Sequence, residues 1–209
     1  MNALTAALEA RHQGMAAELL EIYRDLHRHP ELSMQEQRTA GIAADYIEKL
    51  GYAVTRGVGV TGVVGVLRNG EGPTVMLRAD MDALPMAEDT GLPYASTVTA
   101  TDADGQSVSV AHSCGHDLHV TWMLGAARVL AEARDVWRGT VLVVFQPGEE
   151  TAQGASAMVG DWDAAGLPHA DAVLAEFALV AAAGANSFRP GATLSATDRL
   201  KSTLFGRGS

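Results

Sequence analysis

Cysteine is almost absent from this chain, which has one cysteine, Cys114, among its 209 residues. A single thiol cannot form an internal disulfide, and it cannot supply a four-cysteine zinc finger. Disulfide-stapled secreted scaffolds are therefore excluded as a class. We expect a chain that works in a reducing, cytoplasmic setting.

Basic charge is also scarce, with 15 Lys and Arg against 25 Asp and Glu and a formal net charge of −10. This balance provides no basic stripe for phosphates, so we expect neither nucleic acid nor an anionic membrane as a partner. Long apolar runs are missing too. The run 177–185 is far shorter than the about 20 residues that cross a bilayer, and the first ten residues do not resemble a secretory signal.

Hydrophobic residues make up 47% of the chain, enough to bury a sizeable core. Helical periodicity predicts a first helix that ends near His29, where His27 and His29 are expected as cations at the helix C-terminus. Ser33 followed by Glu36 matches a capping box, which predicts a second helix over 34–50.

The remaining pattern alternates between strands and helices. Strands are predicted at 52–56, 63–68, 74–79, 140–145 and 172–175, and further helices at 117–134 and 151–159. The apolar run 140–145 is typical of a strand buried on both faces, and we expect the same of 172–175. The sequence therefore predicts an α/β fold in which helices cover a sheet with a parallel core.

Residues 112–119 read His-Ser-Cys-Gly-His-Asp-Leu-His and concentrate three imidazoles, the thiol and a carboxylate in eight positions. Thiolate and imidazole are ligands that zinc prefers, and imidazole also suits cobalt, nickel or manganese. The alternative without metal binding is a solvated polar loop with one buried thiol. Residues elsewhere in the chain must decide between these two interpretations.

Carboxylates follow three of the predicted strands. Asp80 and Asp82 follow 74–79, Glu149 and Glu150 follow 140–145, and Glu176 follows 172–175. Ligands bind outside the carboxyl ends of strands in open α/β sheets, so these groups are expected to converge. One glutamate of a pair can hold a metal while the other takes a proton from water. Solvated turn glutamates and loop-capping aspartates are the alternatives.

Three segments resemble the signature segments of the M20 metallopeptidase family. They are Leu-Arg-Ala-Asp-Met-Asp-Ala-Leu-Pro at 77–85, the cluster at 112–119, and Phe-Gln-Pro-Gly-Glu-Glu at 145–150; Pro-Glu-Leu-Ser at 30–33 also matches. More narrowly, the chain is similar to the amidohydrolase branch, which includes hippurate hydrolases, aminoacylases and auxin-conjugate hydrolases. The resemblance implies a zinc-exopeptidase-like fold, with a mixed, largely parallel sheet flanked by helices.

Carried onto this sequence, the resemblance implies that Cys114, His116 and Glu150 ligate a pair of divalent ions, which are manganese, zinc, cobalt or nickel. It implies that Glu149 is the general base and acid, and that Asp82 orients the site. The implied reaction is hydrolysis of the amide bond of an N-acyl amino acid or related conjugate by metal-activated water. For His112 and His119 we expect local hydrogen bonds rather than metal ligation.

Two departures from the family pattern affect this prediction. Phe177 stands where the family has a metal-binding histidine, and Glu176 would need a local bulge, or a strand that has already ended, to replace it. Family members are also about twice as long and form homodimers or tetramers. We therefore expect 1–188 to be a partial catalytic domain and 189–209 to begin a lid or dimerisation domain that is largely missing, together with the last histidine ligand.

These departures leave alternatives open. The first is a truncated, catalytically inactive remnant that binds a metal or a partner without hydrolysing anything. The second is a cysteine nucleophile, Cys114, with His112 or His116 as its base. That second hypothesis leaves the Glu149 and Glu150 pair without a role.

Overall fold

The helices and strands follow the hydrophobic pattern of the chain closely. The computed structural model describes residues 14–176 and 178, which all belong to one compact unit. The helices in this part are α1 (Ala16–Arg28), α2 (Gln37–Lys49), α3 (His116–Glu132) and α4 (Gly154–Trp162). The strands are β1 (Ala53–Val58), β2 (Gly62–Asn69), β3 (Thr74–Asp80), β4 (Thr99–Thr101), β5 (Ser107–Ser109), β6 (Gly139–Gln146) and β7 (Ala172–Ala175).

Five of these strands form one sheet in the order β1-β2-β6-β3-β7, and β4 and β5 form a separate hairpin. β2 is antiparallel to both β1 and β6, whereas β3 is parallel to both β6 and β7. Four strands therefore run in one direction and β2 in the other. The predicted mixed, largely parallel sheet flanked by helices is confirmed.

The central strand β6 is buried on both faces, as its apolar run predicts. Successive strand residues point to opposite faces, so β6 serves two layers. Val143 and Phe145 pack with residues of α1, α2 and α3, whereas Leu142 and Val144 pack against Met158 of α4. The sheet therefore lies between helices on both sides.

The capping-box prediction at Ser33 and Glu36 is wrong, and α2 begins at Gln37 rather than near residue 34. Met34 has a positive φ of 66°, outside the helical region, and no side chain caps the helix at Glu36. Glu31 accepts hydrogen bonds from two amides of the first turn instead, each at 2.8 Å. The hydroxyl of Ser33 donates to a distant aspartate described below.

One further boundary and the burial of one strand differ from the prediction. α4 begins at Gly154, because the residues before it form a tight turn in which Ala152 has a φ of 57°. β7 was predicted to be buried, but it pairs with β3 at the edge of the described sheet, and Val173 and Leu174 are 60% and 54% exposed. The predicted domain boundary at residues 188 and 189 lies outside the described residues.

No helix in the described part of the chain is long and apolar enough to cross a membrane.

Candidate metal site

The site lies where the carboxyl ends of β3 and β6 meet the first turn of α3. β3 and β6 are parallel, and Asp80 stands opposite Gln146 in their register. The residues that follow these two positions therefore emerge at the same edge. Gly115 precedes α3 with a φ of 79°, a left-handed conformation that glycine adopts readily, and His116 is the first residue of the helix.

His116, Glu149 and Glu150 form one group with metal-binding potential. Their ligand atoms all lie within 4.8 Å of one another. His116 Nε2 is 3.8 Å from a Glu149 oxygen and 3.9 Å from a Glu150 oxygen. Ligands of a tetrahedral zinc ion, each about 2.1 Å from the metal, are roughly 3.4 Å apart. These three side chains therefore fit around one ion after small adjustments.

Asp82 fixes the orientation of the His116 ring. His116 Nδ1 is 2.8 Å from the backbone oxygen of Asp82 and 3.2 Å from its Oδ1. Because both neighbours are acceptors, Nδ1 carries the hydrogen, which leaves Nε2 to face the glutamates. Burial lowers the pKa of His116, but the hydrogen bond to Asp82 and the surrounding carboxylates outweigh it and raise the pKa.

The second oxygen of Asp82 holds two other segments of the chain. Oδ2 accepts the Ser33 hydroxyl at 2.6 Å and the amide of Glu150 at 3.0 Å. Burial raises the pKa of Asp82, yet the hydrogen bonds from His116, Ser33 and Glu150 outweigh this effect and lower it. Asp82 is therefore a buried carboxylate that joins His116 to the turn at residues 148–150, the glutamate turn.

A second group consists of Asp80, His116 and His119, all buried. Its hydrogen bonds are already made: His119 Nδ1 is 2.6 Å from Asp80 Oδ1, and Arg78 is 2.6 Å from Asp80 Oδ2. His119 Nε2 accepts the Ala178 amide at 2.9 Å, so Nδ1 donates to Asp80. The predicted hydrogen bonding of His119 is confirmed, and Asp80 serves this network.

His112 does not behave as predicted. Both of its ring nitrogens are buried and have no hydrogen-bond partner in the part of the chain that the structure describes. Burial lowers its pKa to about 4, which keeps the ring neutral. The prediction of local hydrogen bonds for His112 is therefore wrong among these residues.

Glu149 has the environment of a group that exchanges protons. Its side chain is 34% exposed, so solvent reaches it. Burial raises its pKa, and the charges of Asp80, Glu150 and Asp82 raise it further, against the opposing effect of His116. A carboxylate with a raised pKa both accepts and donates protons nearer to neutral pH.

Cys114 lies beside the site but in neither group. It is exposed, and partial burial of the thiol, a hydrogen bond with Glu150 and nearby negative charge raise its pKa to about 12. The thiol therefore faces Glu150, while the raised pKa disfavours the thiolate that a cysteine nucleophile needs. Glu176 is exposed and also belongs to neither group, and Phe177 lies outside the described residues.

Ser33 and Glu36 were not predicted as supporting residues, because their spacing is also that of a helix cap. The Ser33 hydroxyl instead donates to Asp82, and the Glu36 carboxylate accepts the amide of Gly148, just before Glu149 and Glu150. A cavity of about 300 Å³ lined by apolar residues, among them Val75, Leu130 and Trp137, lies towards the opposite ends of β3 and β6. It carries no titratable cluster and is separate from the site.

Comparisons with family models, curated proteins and solved structures agree on one family. A model of peptidase family M20/M25/M40 matches residues 76–191, more than half of the chain. The N-acetyl-L-cysteine deacetylase of Bacillus subtilis (strain 168) is 36% identical over 92% of this chain and 44% of its own length. The IAA-amino acid hydrolase ILR1-like 5 of Arabidopsis thaliana is 35% identical over 91% of this chain and 41% of its own.

Among solved structures, the YxeP protein of Bacillus subtilis is similar, with 35% identity and a TM-score of 0.66. The match covers 80% of this chain and 43% of that one, which is described as a dinuclear metal binding peptidase from the M20 family. The chain thus spans about half the length, or less, of the relatives that it matches.

Proposed function

The chain belongs to peptidase family M20/M25/M40, and on that premise we propose that it carries the catalytic half of a metal-dependent amidohydrolase. The observation that carries the proposal is the arrangement of His116, whose Nε2 faces Glu149 and Glu150 while Asp82 holds its Nδ1. A histidine fixed by a carboxylate or carbonyl on one nitrogen is the usual geometry of a metal ligand.

We propose N-acyl amino acids and related conjugates as substrates, with cleavage of the amide bond. The names of two relatives describe an N-acetyl-L-cysteine deacetylase and an IAA-amino acid hydrolase, and both support this class. The net charge of −10 favours a small-molecule substrate over nucleic acid.

His116 and Glu150 would hold a divalent ion, with the thiol of Cys114 beside Glu150 as a further ligand. The mixture of imidazole, carboxylate and thiol donors suits zinc, cobalt, nickel or manganese. A bound ion supplies polarisation of the amide carbonyl and a lower pKa for water. Two ions per site are proposed, because the YxeP protein is described as dinuclear.

Glu149 would take the proton from the attacking water and pass it to the nitrogen of the leaving amine. Its raised pKa and its exposure to solvent support this role, since the same carboxyl must first accept and then donate. Asp82 would act through its neighbours, by holding the His116 ring and the Glu150 backbone in place.

The proposal is tested by supplying the 209-residue chain with manganese, zinc or cobalt and measuring hydrolysis of a panel of N-acyl amino acids. We expect turnover of at least one amide with at least one metal, abolished by a chelator and restored by the metal. Absence of turnover with all three metals would reject the proposal for this chain.

A second candidate is a truncated, catalytically inactive remnant that binds a metal weakly, or binds a partner, without hydrolysis. Phe177 favours it, because a phenyl ring replaces the histidine ligand that the family resemblance implies. The number of bound ions separates the two candidates: two per chain support the hydrolase, and zero or one support the remnant. The dimeric or tetrameric state and the cytoplasmic location stay predictions.

A further inference from the structure

Glu36 is fully buried, at 0% exposure, yet it belongs to neither metal-binding group and its side chain does not cap α2. Removing a carboxylate from water is costly unless hydrogen-bond donors replace the water. Its partners therefore indicate what the side chain does.

Three donors satisfy the Glu36 carboxylate, and they come from three separate segments of the chain. Oε1 accepts the amide of Met34 at 2.8 Å and the amide of Gly148 at 2.9 Å. Oε2 accepts the hydroxyl of Thr61 at 2.5 Å. One carboxylate thus joins the segment before α2, the connection between β1 and β2, and the turn after β6.

Gly148 is the residue from which the glutamate turn departs. It has a φ of 54°, and a Cβ added there would lie 2.5 Å from the sulfur of Met34. Its carbonyl accepts the amides of Gln153 and Gly154, each at 3.1 Å. With its amide bound to Glu36, both peptide groups of Gly148 are held, and so is the direction in which the chain continues.

The other end of the turn is held by the same segment before α2. Ser33 donates to Asp82, and Asp82 accepts the amide of Glu150. Residues 148–150 are therefore anchored at their first residue by Glu36 and at their last by Asp82.

We propose that Glu36 is a positioning residue for the metal site: its carboxylate holds the turn that carries Glu149 and Glu150 at the correct distance from His116. This inference rests on the proposed function. Metal sites are sensitive to such support, because a displacement of about 1 Å in a positioned group costs up to about a hundredfold in rate. Outer hydrogen-bond partners of ligands commonly change metal affinity by about 10 to 100-fold.

The test compares Glu36→Leu with Glu36→Gln in the 209-residue chain, with cobalt as the probe. Leucine accepts no hydrogen bond, so Gly148 loses its anchor. Glutamine keeps one oxygen for the two amides, and the Thr61 hydroxyl can rotate to accept from its NH₂ group. We expect Glu36→Leu to weaken cobalt binding about tenfold or more and to alter the visible spectrum of the bound ion, and Glu36→Gln to restore both.

Leu142→Ala is the matched control for lost stability. Leu142 lies in β6, is fully buried and contacts the opposite layer from the site. We expect it to lower the melting temperature while cobalt affinity and spectrum stay as in the parent chain. Equal weakening of cobalt binding by Glu36→Leu and Leu142→Ala, or normal binding by Glu36→Leu, would overturn the positioning role.

Thr61→Val is a second test variant, used if Glu36→Leu does not fold. It removes one donor to Glu36, and we expect a smaller cobalt effect in the same direction; no effect would overturn the proposal. If the parent chain binds none of manganese, zinc and cobalt, the proposed function fails by itself. The amide chemical shifts of Glu149 and Glu150 then decide, since Thr61→Val must move them more than Leu142→Ala does.

Discussion

Two polar clusters meet the first turn of α3 through neighbouring residues, and they differ in their charge balance. His116 faces an acidic cluster, in which Asp82, Glu149 and Glu150 surround one imidazole. Asp117 faces away from it and pairs with His27 of α1 at 2.6 Å. The other nitrogen of His27 lies 3.0 Å from Glu88.

His27, Asp117 and Glu88 form the His27 cluster, in which each charged group has an oppositely charged partner within the protein. Glu88 accepts further hydrogen bonds from the Thr90 hydroxyl and from the Ser96 amide. The hydrogen bond to Asp117 raises the pKa of His27 to about 9, against burial and with further help from Glu88, so the ring is a cation at neutral pH. A buried cation between two carboxylates supports the fold without an external ion.

The acidic cluster, by contrast, gathers more negative charge than its own cations balance. Burial raises the pKa of Glu149 and of Cys114, and the nearby negative charge raises both further. A divalent cation relieves this excess of negative charge. Charge balance, rather than the number of histidines, therefore separates a supporting network from a candidate metal site.

Glu149→Gln tests the acidic cluster and has the largest expected effect. The substitution keeps the shape of the side chain but removes the proton acceptor, so we expect turnover to fall by about 10²- to 10⁴-fold, with metal binding retained. Steady-state hydrolysis and cobalt titration measure the two effects. Glu71→Gln, at an exposed position between β2 and β3, is the control, and an equal loss in both variants would contradict the role of Glu149.

His27→Gln tests the contribution of the His27 cluster to stability. It leaves Asp117 and Glu88 without their cation, so we expect the free energy of unfolding at pH 7 to fall by about 3 kcal/mol. Denaturant unfolding measures the loss. Cobalt affinity is expected to stay within about threefold of the parent value, because His27 is not in the acidic cluster; a large loss of metal binding would refute the separation of the two clusters.

The pH dependence of stability is a second test of the stabilisation by protonated His27. The pKa of His27 is raised from its ordinary 6.5 to about 9, so the folded state holds the proton more tightly than the unfolded state. Its stabilisation is fully present below pH 6.5 and is lost as the pH rises to about 9. At about 1.4 kcal/mol per pKa unit, the loss is on the order of 3 kcal/mol. Unfolding of the parent chain between pH 6 and 9.5 should show this slope, and His27→Gln should flatten it.

Asp82→Asn has the smallest expected effect. The amide keeps one acceptor oxygen in place of two and so cannot accept from His116, Ser33 and Glu150 as the carboxylate does. We therefore expect cobalt affinity to fall by about tenfold. Isothermal titration measures the change. Asp104→Asn, in the exposed turn between β4 and β5, should leave the cobalt affinity unaltered. A parent-like cobalt affinity for Asp82→Asn would contradict the positioning role of Asp82.

Much of the fold could be predicted because burial imposes a period on the sequence. The run in β6 and the stripes of α1 and α3 are visible locally, and the parallel pairing of β3 with β6 follows from their connection by a helix. The exposure of β7 could not be seen in the same way, because its apolar composition is that of a buried strand whatever lies beside it.

The site was predictable where it depends on strand ends and not where it depends on distant loops. Asp82, His116 and Glu150 do meet at one edge of the sheet. The spacing of Ser33 and Glu36 is also that of a helix cap, and nothing local reveals that Ser33 donates to Asp82, 49 residues away. His27 was predicted as a cation at a helix end, which agrees with its raised pKa, but its burial between carboxylates depends on tertiary contacts.

An anomalous difference map from crystals of the chain grown with zinc tests the central claim most directly, since it locates the ion itself. We expect a peak about 2.0 to 2.2 Å from His116 Nε2 and from a carboxylate oxygen of Glu150, with the His27 cluster empty. A map with no peak at His116, or with the ion bound at His27 and Glu88 instead, would contradict it.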